Sequence, residues 1–520
     1  MRDSIRNDLK RRSLRARDRV RFGFPVKDDI YLGNFRDPTA IRFLLEFNRE
    51  HHTPTISKTD SRPRISSLAR HTPSPNILKR PMRPLDRREL LTGLATLLLS
   101  GTSPAAPGRN LKVQSPRPED YEMELAGFES YLTPNDSFFV RTHTYTPTPD
   151  PATFELKIKG LVSKPLTLKL ADLKRLKKIE LVAVLECAGN GRANYRPMMP
   201  GLQWNEGSVG NAKWGGVRLK DVLAQAGVDP KATDIAINGI ETPAGTQPKF
   251  VRSVPIAKCL HPDTLLAWEM NGQPLPVTNG GPLRLVVPGW AGDSWVKWVE
   301  NMELIDHEFD GFFMKTAYRH PIKPIAPGAA VDPKDTEPVT WLNIKSVIHT
   351  PKNLAAGKQV VFGVAWSGKS PVAKVEVSID DGKTWKLAKL DNRKTPYGWR
   401  MWRLPVIVPI NGVLVAKATD EAGVSQPTEQ QWNPSGYLWN VQSRLTIGPR
   451  PEPPKVTGVE FPQEVKQKCL VCHDDHMMQG QRLTKAQWDR EVDKMTRWGA
   501  QVKPEEKAGI VDFLASKYKP

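Results

Sequence analysis

The segment KIELVAVLECAGNGR, residues 178–192, contains the feature on which the fold of this chain depends. An apolar run typical of a buried strand ends at Cys187 and is followed by a loop that contains two glycines. This arrangement places a thiol at the end of a strand, close to the cation Arg192. Because a free cysteine is usually a buried apolar residue, these residues alone leave two roles open for Cys187: packing in the core, or metal binding and catalysis.

The sequence on both sides of this segment alternates between two kinds of pattern. Residues 112–320 contain short β-type runs, at 154–162 and 282–290 for example, and brief helical stretches such as 219–227. Glycine and proline turns separate them, and the whole chain contains 37 Gly and 47 Pro. The pattern predicts a multidomain protein whose first folded part, 112–320, is an α+β domain.

Two further domains are predicted after a proline-rich linker at 321–336. Residues 337–447 show alternating strands and hairpin signals, with Asp381 and the glycine after it at a tight turn, which indicates an immunoglobulin-like β-sandwich. A stiff proline-rich linker occupies 448–458. Residues 459–520 change to a helical pattern and predict a small all-α domain.

The N-terminal region carries signals of processing rather than of a folded domain. Residues 1–81 are polar and arginine-rich without periodicity, which indicates disorder or a start codon assigned too far upstream. Residues 82–107 have the layout of a twin-arginine export signal, with Arg87 and Arg88, a short apolar stretch and then small residues. The alternative is a buried helix preceded by chance arginines. Export by this route predicts a periplasmic protein.

The formal charge of +20 does not indicate nucleic-acid binding once it is localised. Residues 1–80 hold 19 Lys and Arg against 9 Asp and Glu and contribute +10, which leaves +10 for the other 440 residues. Those residues show no basic stripe interleaved with aromatic side chains, so no nucleic-acid partner is expected. No apolar run reaches the roughly 18 residues of a membrane helix, so no membrane span is expected in the mature form. Four cysteines are too few for a disulfide framework.

The C-terminal region contains Cys469, Cys472 and His473 in the order C-x-x-C-H, the sequence that attaches c-type haem. Two thiols on one helical turn reach the two vinyl groups of the porphyrin, and the histidine becomes an axial ligand of iron. A zinc site would need two more ligands, of which His476 supplies at most one. A redox disulfide would need a thioredoxin-like setting, which this region lacks. The motif therefore predicts covalently bound haem c.

The sixth iron ligand is predicted among three methionines. Met477 and Met478 lie only a few residues after His473, which makes it hard for them to reach the opposite face of the ring. Met495 lies on a predicted amphipathic helix with Trp488 and is the better candidate. The alternative is that Met495 packs in the core of the helical domain.

Several motifs, in the right order along the chain, resemble those of the sulfite oxidase family of molybdenum enzymes. The loop ECAGNGR (186–192) resembles the cysteine loop of that family, and FFVRTH (138–143) resembles its cofactor-binding segment. Stretches that resemble further parts of its molybdopterin and dimerisation domains are 214–228, 265–299 and 375–437. The resemblance covers roughly residues 115–445 and implies a Mo-molybdopterin cofactor and a homodimer.

The resemblance also implies a role for each matching residue. Cys187 would bind molybdenum, and Tyr318 would be the active-site tyrosine. Arg141 and Arg192 would form a cationic pocket for a small sulfur oxyanion, because guanidinium groups bind such anions through paired hydrogen bonds and keep their charge. The residues that would hold the pterin are Phe139, Val140, Arg141, Thr142, His143, Glu241, Asn279, Arg284, Ser294, Trp295, Val296 and Lys297.

Three positions depart from the pattern of the family. Asn279 replaces a histidine of the animal enzymes and Glu241 replaces an aspartate, and both side chains can still form hydrogen bonds. Ser435 replaces a third arginine of the substrate pocket. The loss of one cation leaves room for a larger or protein-bound sulfur substrate.

These features together predict a periplasmic sulfite dehydrogenase. Sulfite would be oxidised to sulfate at molybdenum, and the electrons would leave singly through the haem to an external cytochrome c. The alternatives are a dehydrogenase of sulfane or other sulfur compounds, a molybdopterin reductase of the same fold, and a non-enzymatic electron carrier on an adapted scaffold. The presence of Cys187, Arg192 and Tyr318 argues against the carrier.

Overall fold

The computed structural model of the chain describes residues 110–350, 354–448 and 460–520. The predicted N-terminal segment 1–81 and the predicted export signal 82–107 lie outside the described residues, and so does nearly all of the predicted linker 448–458. Within the described ranges, no helix combines the length and the apolar character that crossing a bilayer requires.

Residues 110–338 form a mixed α+β domain of many short strands and a few short helices. The strands are β1 (Leu111–Pro116), β2 (Glu119–Met123), β3 (Glu155–Gly160), β4 (Leu166–Lys169), β5 (Ile179–Glu186), β6 (Val209–Arg218), β7 (Asp234–Gly239), β8 (Val251–Pro255), β9 (Leu265–Met270), β10 (Gln273–Pro274), β11 (Arg284–Val286), β12 (Val299–Ile305), β13 (Arg319–Pro321) and β14 (Thr336–Pro338). The helices are α1 (Leu170–Lys174), α2 (Leu219–Ala226), α3 (Ile256–Cys259) and α4 (Phe312–Lys315).

Two five-stranded sheets organise this domain, and a hairpin of β1 and β2 precedes them. One sheet has the order β10-β9-β6-β5, with β11 also paired to β9, and the other has the order β4-β3-β12-β7-β8. The pairing of β12 with β3 is parallel, whereas the other neighbours in both sheets are antiparallel. Short loops join β3 to β4 and β9 to β10, whereas a long segment, 187–208, joins β5 to β6.

Strands β5 and β6 lie in the core and determine where Cys187 is placed. They pair over the whole length of β5. The Trp214 side chain of β6 is fully buried, and its Nε1–H donates to the carbonyl oxygen of Ala183 at 3.1 Å. Gly216 permits the close approach of β9, because a Cβ at this position would lie 2.0 Å from the carbonyl oxygen of Leu266.

The predicted linker at 321–336 is more ordered than a linker. Its two ends are joined because β13 pairs antiparallel with β14. The Arg319 guanidinium donates to the hydroxyl of Thr336 at 2.8 Å and to its carbonyl oxygen at 2.7 Å. The proline-rich composition of this segment gave no signal for the pairing, which depends on residues at its two ends.

Residues 341–448 form a β-sandwich of two four-stranded sheets. Its strands are β15 (Lys345–Ile348), β16 (Gly357–Trp366), β17 (Val372–Ser378), β18 (Lys386–Leu387), β19 (Lys389–Leu390), β20 (Arg400–Val408), β21 (Gly412–Asp420) and β22 (Ser443–Ile447). The sheet orders are β15-β16-β20-β19 and β18-β17-β21-β22. Apolar side chains from both sheets, such as Val361, Val375 and Leu414, pack in one buried core.

The predicted tight turn lies between β17 and β18. Asp381 and Gly382 have φ values of +62° and +86°, the left-handed geometry that two-residue hairpin turns favour. The core of the first domain continues into this sandwich, since Trp366 and Trp399 belong to the same buried cluster as β5 and β6. The interface between the two domains is therefore packed like an interior.

Residues 460–520 form a small all-α domain. Its helices are α5 (Gln463–Cys469), α6 (His476–Gln479), α7 (Lys485–Arg497) and α8 (Pro504–Lys517). Helix α7 begins with a capping box, in which the hydroxyl of Thr484 and the side chain of Gln487 each bind the backbone of the other. Trp488 and Val492 of α7 are buried against α8, in a core that also contains Leu483.

Candidate active site

Cys187 lies directly after β5, at the strand end that the sequence predicts. Its backbone N–H donates to the carbonyl oxygen of Ser208 at 2.9 Å, and its own carbonyl oxygen accepts from the N–H of Asn190 at 2.9 Å. Gly191 has φ +88°, and a Cβ there would lie 2.5 Å from the ring of Trp439, so only glycine fits. These contacts turn the chain sharply just after the thiol.

A cavity whose void is about 710 Å³, including its open mouth, collects most of the predicted site residues. The predicted residues that line it are Phe139, Arg141, His143, Cys187, Glu241, Asn279, Arg284, Trp295, Lys297 and Tyr318. Residues that the sequence did not single out complete the lining, and they are Thr144, Leu185, Phe250, Thr278, Gly292, Asp293 and Trp298. The fold therefore brings segments that are far apart in the chain around one thiol.

Four of the residues predicted to hold the pterin lie outside this lining, and their role stays a prediction. Val140 is buried and pairs through its backbone with Tyr121. The hydroxyl of Thr142 accepts a hydrogen bond from Lys297 at 3.1 Å. Ser294 and Val296 are fully buried in the core behind the cavity wall. For Val140 and Thr142 the reason is that successive side chains of an extended segment point to opposite sides, whereas Ser294 ends a 3-10 turn.

Arg284 is a buried cation in the cavity wall. It is 3% exposed, and its guanidinium donates to the carbonyl oxygens of Asn279 at 2.6 Å and Trp295 at 2.9 Å. Its Nε is buried without a hydrogen-bond partner, and no carboxylate among the described residues pairs with it. Burial lowers the pKa of Arg284 to about 9. An anion at this place would satisfy both the free N–H and the charge.

Lys297 and Glu241 form the second charged part of the wall. The Lys297 ammonium donates to the carbonyl oxygen of Thr278 at 3.0 Å, and burial, with Arg284 nearby, lowers its pKa to about 7. The Oε2 atom of Glu241 is buried without a partner, and burial raises the pKa of this carboxyl to about 7. Two basic groups whose pKa values are lowered, together with a carboxyl that can be protonated, suit a ligand with a phosphate and a polar ring edge.

The donor set therefore fits a phosphate-bearing pterin. Gly239 lets Glu241 and the backbone of Lys297 approach the same strand, because a Cβ there would lie 2.3 Å from the free Glu241 oxygen and 2.3 Å from the carbonyl oxygen of Lys297. A molybdopterin would be held by Arg284, Lys297 and Glu241, and the Cys187 thiolate is a soft donor of the type that binds transition metals. Burial raises the pKa of Cys187, and Arg141, the Gly189 N–H and Arg192 oppose that rise.

Tyr318 and His143 form a hydrogen-bonded pair in the cavity. The Tyr318 hydroxyl lies 2.7 Å from Nε2 of His143. Burial raises the pKa of Tyr318 well above its ordinary value and lowers that of His143 well below it, so both are neutral at neutral pH. Tyr318 has φ +56°, a conformation that is strained for a tyrosine, and its ring stacks on Tyr437 with centroids 5.4 Å apart. The pair can pass a proton because each member has one hydrogen-bonding atom toward the other.

Arg141 is anchored on one side by Asp120 at a distance of 3.2 Å. Asp120 is fully buried and also accepts from the backbone N–H of Thr142 at 2.9 Å. Burial raises the pKa of this carboxyl to about 6, against the opposing effect of Arg141. Asp120 holds the Arg141 side chain in place and partly neutralises its positive charge.

Arg192 is held by two backbone carbonyls. Its Nε donates to Ser435 at 3.1 Å and one terminal nitrogen donates to Leu202 at 3.1 Å. The guanidinium carbon lies 5.2 Å from the ring centre of Tyr437. Ser435, the residue that replaces a pocket arginine, therefore lies next to Arg192 and adds no charge there, as the sequence comparison with the family implies.

Sequence reasoning missed the residues that support this site from behind. They are Asp120, Glu186, Arg252, Asp293 and Tyr437. Glu186 gave a signal, because it is a charged residue at the end of an apolar strand. Arg252 and Asp293 form a buried ion pair of 2.7 Å below Tyr318, but they lie on separate elements and have no local pattern.

The haem-attachment motif lies between α5 and α6. Cys469 is the last residue of α5 and is partly buried, whereas Cys472 is exposed. Nδ1 of His473 lies 2.7 Å from the carbonyl oxygen of Asp474, which fixes the tautomer and leaves Nε2 free for a metal. The chemistry of this donor set therefore fits the haem that the motif implies.

The helical domain docks on the first domain through two sets of contacts. Arg117 of the β1–β2 hairpin donates to the carbonyl oxygen of Leu470 at 2.7 Å, and its backbone N–H donates to Asp474 at 3.0 Å. On the other side, Oε1 of Gln481 accepts from the N–H of Gly201 at 3.0 Å, and Gln487 donates to the carbonyl oxygen of Met198 at 3.1 Å. Residues 198–202 also hold Arg192, so this segment separates the two sites by a few residues only.

The haem motif and the Cys187 site open into one continuous cavity. Its void is about 1580 Å³, including open solvent, and Cys187, Arg192 and Tyr318 line one part of it. The other part is lined by residues of the helical domain, among them Cys469, His473, Met477, Met478 and Met495. A second opening, with a void of about 920 Å³, is lined by Cys469, Cys472, His473, Met477 and Met495 together with Arg141 and His143.

The sequence predicts a haem at this motif, and its predicted distal ligand can be tested among the three methionines. Met495 and Met477 line both openings, whereas Met478 is 6% exposed and packs in the core of the helical domain. We expect Met495→Ala to lower the haem potential by on the order of 100 mV, since axial ligands set haem potentials over a range of about 0.8 V. Potentiometric titration of the haem absorption bands measures the shift. Met477→Ala is the matched variant, and a larger shift there than in Met495→Ala would assign the ligand to Met477.

The chain matches known molybdopterin enzymes over most of the described residues. Residues 143–313 match the oxidoreductase molybdopterin binding domain, and residues 336–449 match the Mo-co oxidoreductase dimerisation domain. The chain is 36% identical over 360 residues to the mitochondrial sulfite oxidase of Homo sapiens, which is 65% of this chain and 65% of that protein. It is 35% identical over 359 residues to the sulfite oxidase of Gallus gallus, which is 65% of this chain and 78% of that protein.

A solved structure of a related enzyme is also similar to this chain. The sulfane dehydrogenase SoxCD from Paracoccus pantotrophus matches with a TM-score of 0.57 and 27% identity, over 66% of this chain and 91% of that chain. The fold and the cavity thus define a molybdopterin oxidoreductase. The chain belongs to the sulfite oxidase family, and it spans 65% of the length of the human relative.

Proposed function

We propose that this chain is a sulfite dehydrogenase that contains molybdenum and haem and that delivers electrons to an external cytochrome c. The observation that supports this most is the continuous cavity, which joins the Cys187 site with the C-x-x-C-H motif. The motif lies at the mouth of the predicted substrate pocket, which is where a haem that accepts electrons from that pocket would lie. The sulfite oxidase relatives support sulfite as the substrate.

Two arginines would bind the substrate anion. Arg141 and Arg192 line the same opening as Cys187, and both carry a charge at every pH at which the enzyme works. The anchoring of Arg141 by Asp120 and of Arg192 by backbone carbonyls holds the two guanidinium groups in fixed places before substrate arrives. A dianion such as sulfite would replace water at both.

The reaction converts sulfite and water into sulfate, two protons and two electrons. Molybdopterin, when bound, supplies the two-electron acceptor and the oxygen-transfer chemistry. Tyr318 and His143 lie beside this place as neutral groups that are hydrogen-bonded to each other, and they can orient the substrate through hydrogen bonds. Electrons would leave one at a time through the haem at Cys469 and Cys472.

The proposed enzyme acts in the periplasm as a homodimer. The twin-arginine pattern at 82–107 and the attachment motif for haem c, which is completed outside the cytoplasm, support export. The match of 336–449 to a dimerisation domain supports a pair of chains. Size-exclusion chromatography with light scattering tests the dimer, and sequencing of the N-terminus of exported protein tests the signal.

The substrate is tested by steady-state reduction of ferricytochrome c by the purified protein. Sulfite should support reduction with a higher kcat/KM than thiosulfate does, and metal analysis should give one molybdenum for each haem. Rapid growth of the reduced haem bands after mixing with sulfite reports the internal transfer directly. A protein with haem but without molybdenum would instead be the electron carrier.

A sulfane sulfur compound is the second candidate substrate. Two observations favour it: the likeness to the sulfane dehydrogenase SoxCD, and Ser435 in place of a pocket arginine. A higher kcat/KM for thiosulfate or a protein-bound persulfide than for sulfite would decide for this candidate.

Arg192 gives a test of anion binding. We expect Arg192→Met to raise KM for sulfite on the order of 30-fold with a smaller change in kcat, which corresponds to about 2 kcal/mol for a lost charged hydrogen bond. Steady-state kinetics at constant ionic strength measure both parameters. Arg218→Met is the matched control, because Arg218 also donates to a backbone carbonyl, that of Pro262 at 3.1 Å, but lies outside the cavities. An unchanged KM in Arg192→Met would contradict the assigned role.

A further inference from the structure

The β-sandwich places one buried lysine against the back of the Cys187 loop. Lys345, the first residue of β15, is 1% exposed. Its ammonium donates to Oε1 of Glu186 at 3.2 Å and lies 3.4 Å from the carbonyl oxygen of Asn190. Glu186 immediately precedes Cys187, and Asn190 lies three residues after it. The lysine of one domain therefore contacts both sides of the thiol in the other.

Every acceptor position of this cluster is used. The second oxygen of Glu186 accepts from Nε1 of Trp366 at 2.7 Å, and its first oxygen also accepts from the amide of Asn190 at 2.8 Å. The amide oxygen of Asn190 accepts from the N–H and the hydroxyl of Ser208, at 3.2 Å and 3.0 Å. Ser208 in turn accepts the backbone N–H of Cys187. Direct contacts therefore connect the Lys345 ammonium, through Glu186, Asn190 and Ser208, to the backbone of Cys187.

Burial makes this cluster depend on the lysine. Glu186 and Asn190 are 6% and 1% exposed, so water cannot replace a lost partner. Glu206 shares the same lysine: burial raises its pKa, Lys345 opposes this rise, and Glu122 and Glu186 add to it. Removal of the ammonium would leave the Glu186 carboxylate and the carbonyl oxygen of Asn190 without this buried partner, and the loss of such a partner favours movement of the chain.

A narrow gap lies beside the loop at the boundary of the two domains, and Glu186, Cys187, Ala188, Lys345 and Trp439 are among the residues that line it. A loop that lost its ion pair would no longer be held against this boundary, and the direction of the thiol would change.

We propose that Lys345 is a positioning residue for Cys187: through Glu186 and Asn190, the β-sandwich holds the thiol in the direction of the metal. The proposal rests on Cys187 as the metal ligand of the proposed function, but not on the identity of the substrate. It assigns to the second domain a role in the active site besides that of association.

The test compares Lys345→Met, Glu186→Gln and the double variant in the full-length protein. In protein produced without the molybdenum cofactor, the rate of alkylation of Cys187 by iodoacetamide is measured by mass spectrometry. We expect each single variant to change this rate by about tenfold, as loss of a partner behind a metal ligand does for metal affinity, and the double variant to lie between the singles and the wild type. In cofactor-loaded protein, the single variants should retain less molybdenum per haem after dialysis and show a shifted Mo(V) resonance spectrum.

Lys374→Met is the matched control, because Lys374 forms an ion pair of 3.1 Å with Glu376 in the same domain, far from the thiol. Wild-type alkylation rates in all three variants would overturn the proposal, and so would a change of the same size in the control. If a single variant does not fold, the double variant decides, since it removes both members of the Lys345–Glu186 ion pair together: a changed Cys187 rate supports the proposal and a wild-type rate overturns it. Because alkylation needs neither substrate nor turnover, these outcomes do not depend on whether sulfite is the substrate.

Discussion

Cys187→Ala should abolish sulfite-dependent turnover, by more than about 100-fold, and leave the haem content unchanged. The loss is expected to exceed the 10- to 100-fold effect that is typical of residues behind a metal ligand, because Cys187 is the predicted ligand itself. The alanine should not disturb the fold, since the loop is held by Glu186, Asn190 and the Ser208 backbone rather than by the thiol. The measurement is cytochrome c reduction together with metal analysis.

Cys259→Ala is the matched control for this experiment. Cys259 is fully buried in the core, its thiol faces the carbonyl oxygen of Val254 at 3.5 Å, and it lies outside the cavities described above. This variant should cost about 1 kcal/mol of stability and no activity at temperatures where it is folded. Turnover that survives in Cys187→Ala would refute the ligand assignment and, with it, the proposed function.

Removal of the haem attachment should separate the two halves of the reaction. The double variant Cys469→Ala, Cys472→Ala should contain no covalent haem, and reduction of external cytochrome c by sulfite should fall by more than about 100-fold, because the predicted outlet for single electrons is lost. Reduction of a small soluble oxidant, which can reach the molybdenum site through the open cavity, should persist. Absorption spectra of denatured protein confirm the loss of covalent haem.

Two other results would contradict this assignment. If the double variant still reduces cytochrome c at the wild-type rate, electrons leave directly from the first domain and the helical domain has another task. If it loses activity with the small oxidant as well, the helical domain is needed to hold the substrate pocket. A contact in the structure would explain that outcome. Gln481 of the helical domain binds Gly201, and Gly201 precedes Leu202, whose carbonyl oxygen binds Arg192.

The parts of the site that depend on local sequence could be predicted. The apolar run before Cys187, the loop with Gly191 and the spacing of Cys469 and Cys472 are all contained in short segments, and each needs no knowledge of distant residues. The tight turn at Asp381 belongs to the same group, because two successive residues with positive φ values favour glycine and small polar residues. For these features, sequence and structure carry the same information.

The parts that depend on packing between distant segments could not be predicted. Asp120 anchors Arg141, and Lys345 meets Glu186 across a domain interface, but none of these residues lies in a pattern that marks its partner. The sequence predicted more pterin contacts than there are side chains in the cavity lining, for a related reason. A motif matches as a continuous run of residues, whereas an extended segment directs only alternate side chains to one side, as Val140 and Thr142 show. The family resemblance supplied the roles that periodicity could not.

The docking of the helical domain bears on how electrons could travel within one molecule. Arg117, near the start of the described residues, donates to the carbonyl oxygen of Leu470, near their end, so the first domain holds the predicted haem-attachment segment beside its own cavity. In the proposed enzyme, no swing of the domain is needed between oxidation of one substrate and the next. The covalent connection then serves mainly to guarantee assembly in equal numbers, and the speed of internal transfer is set by a rigid interface rather than by diffusion on a tether.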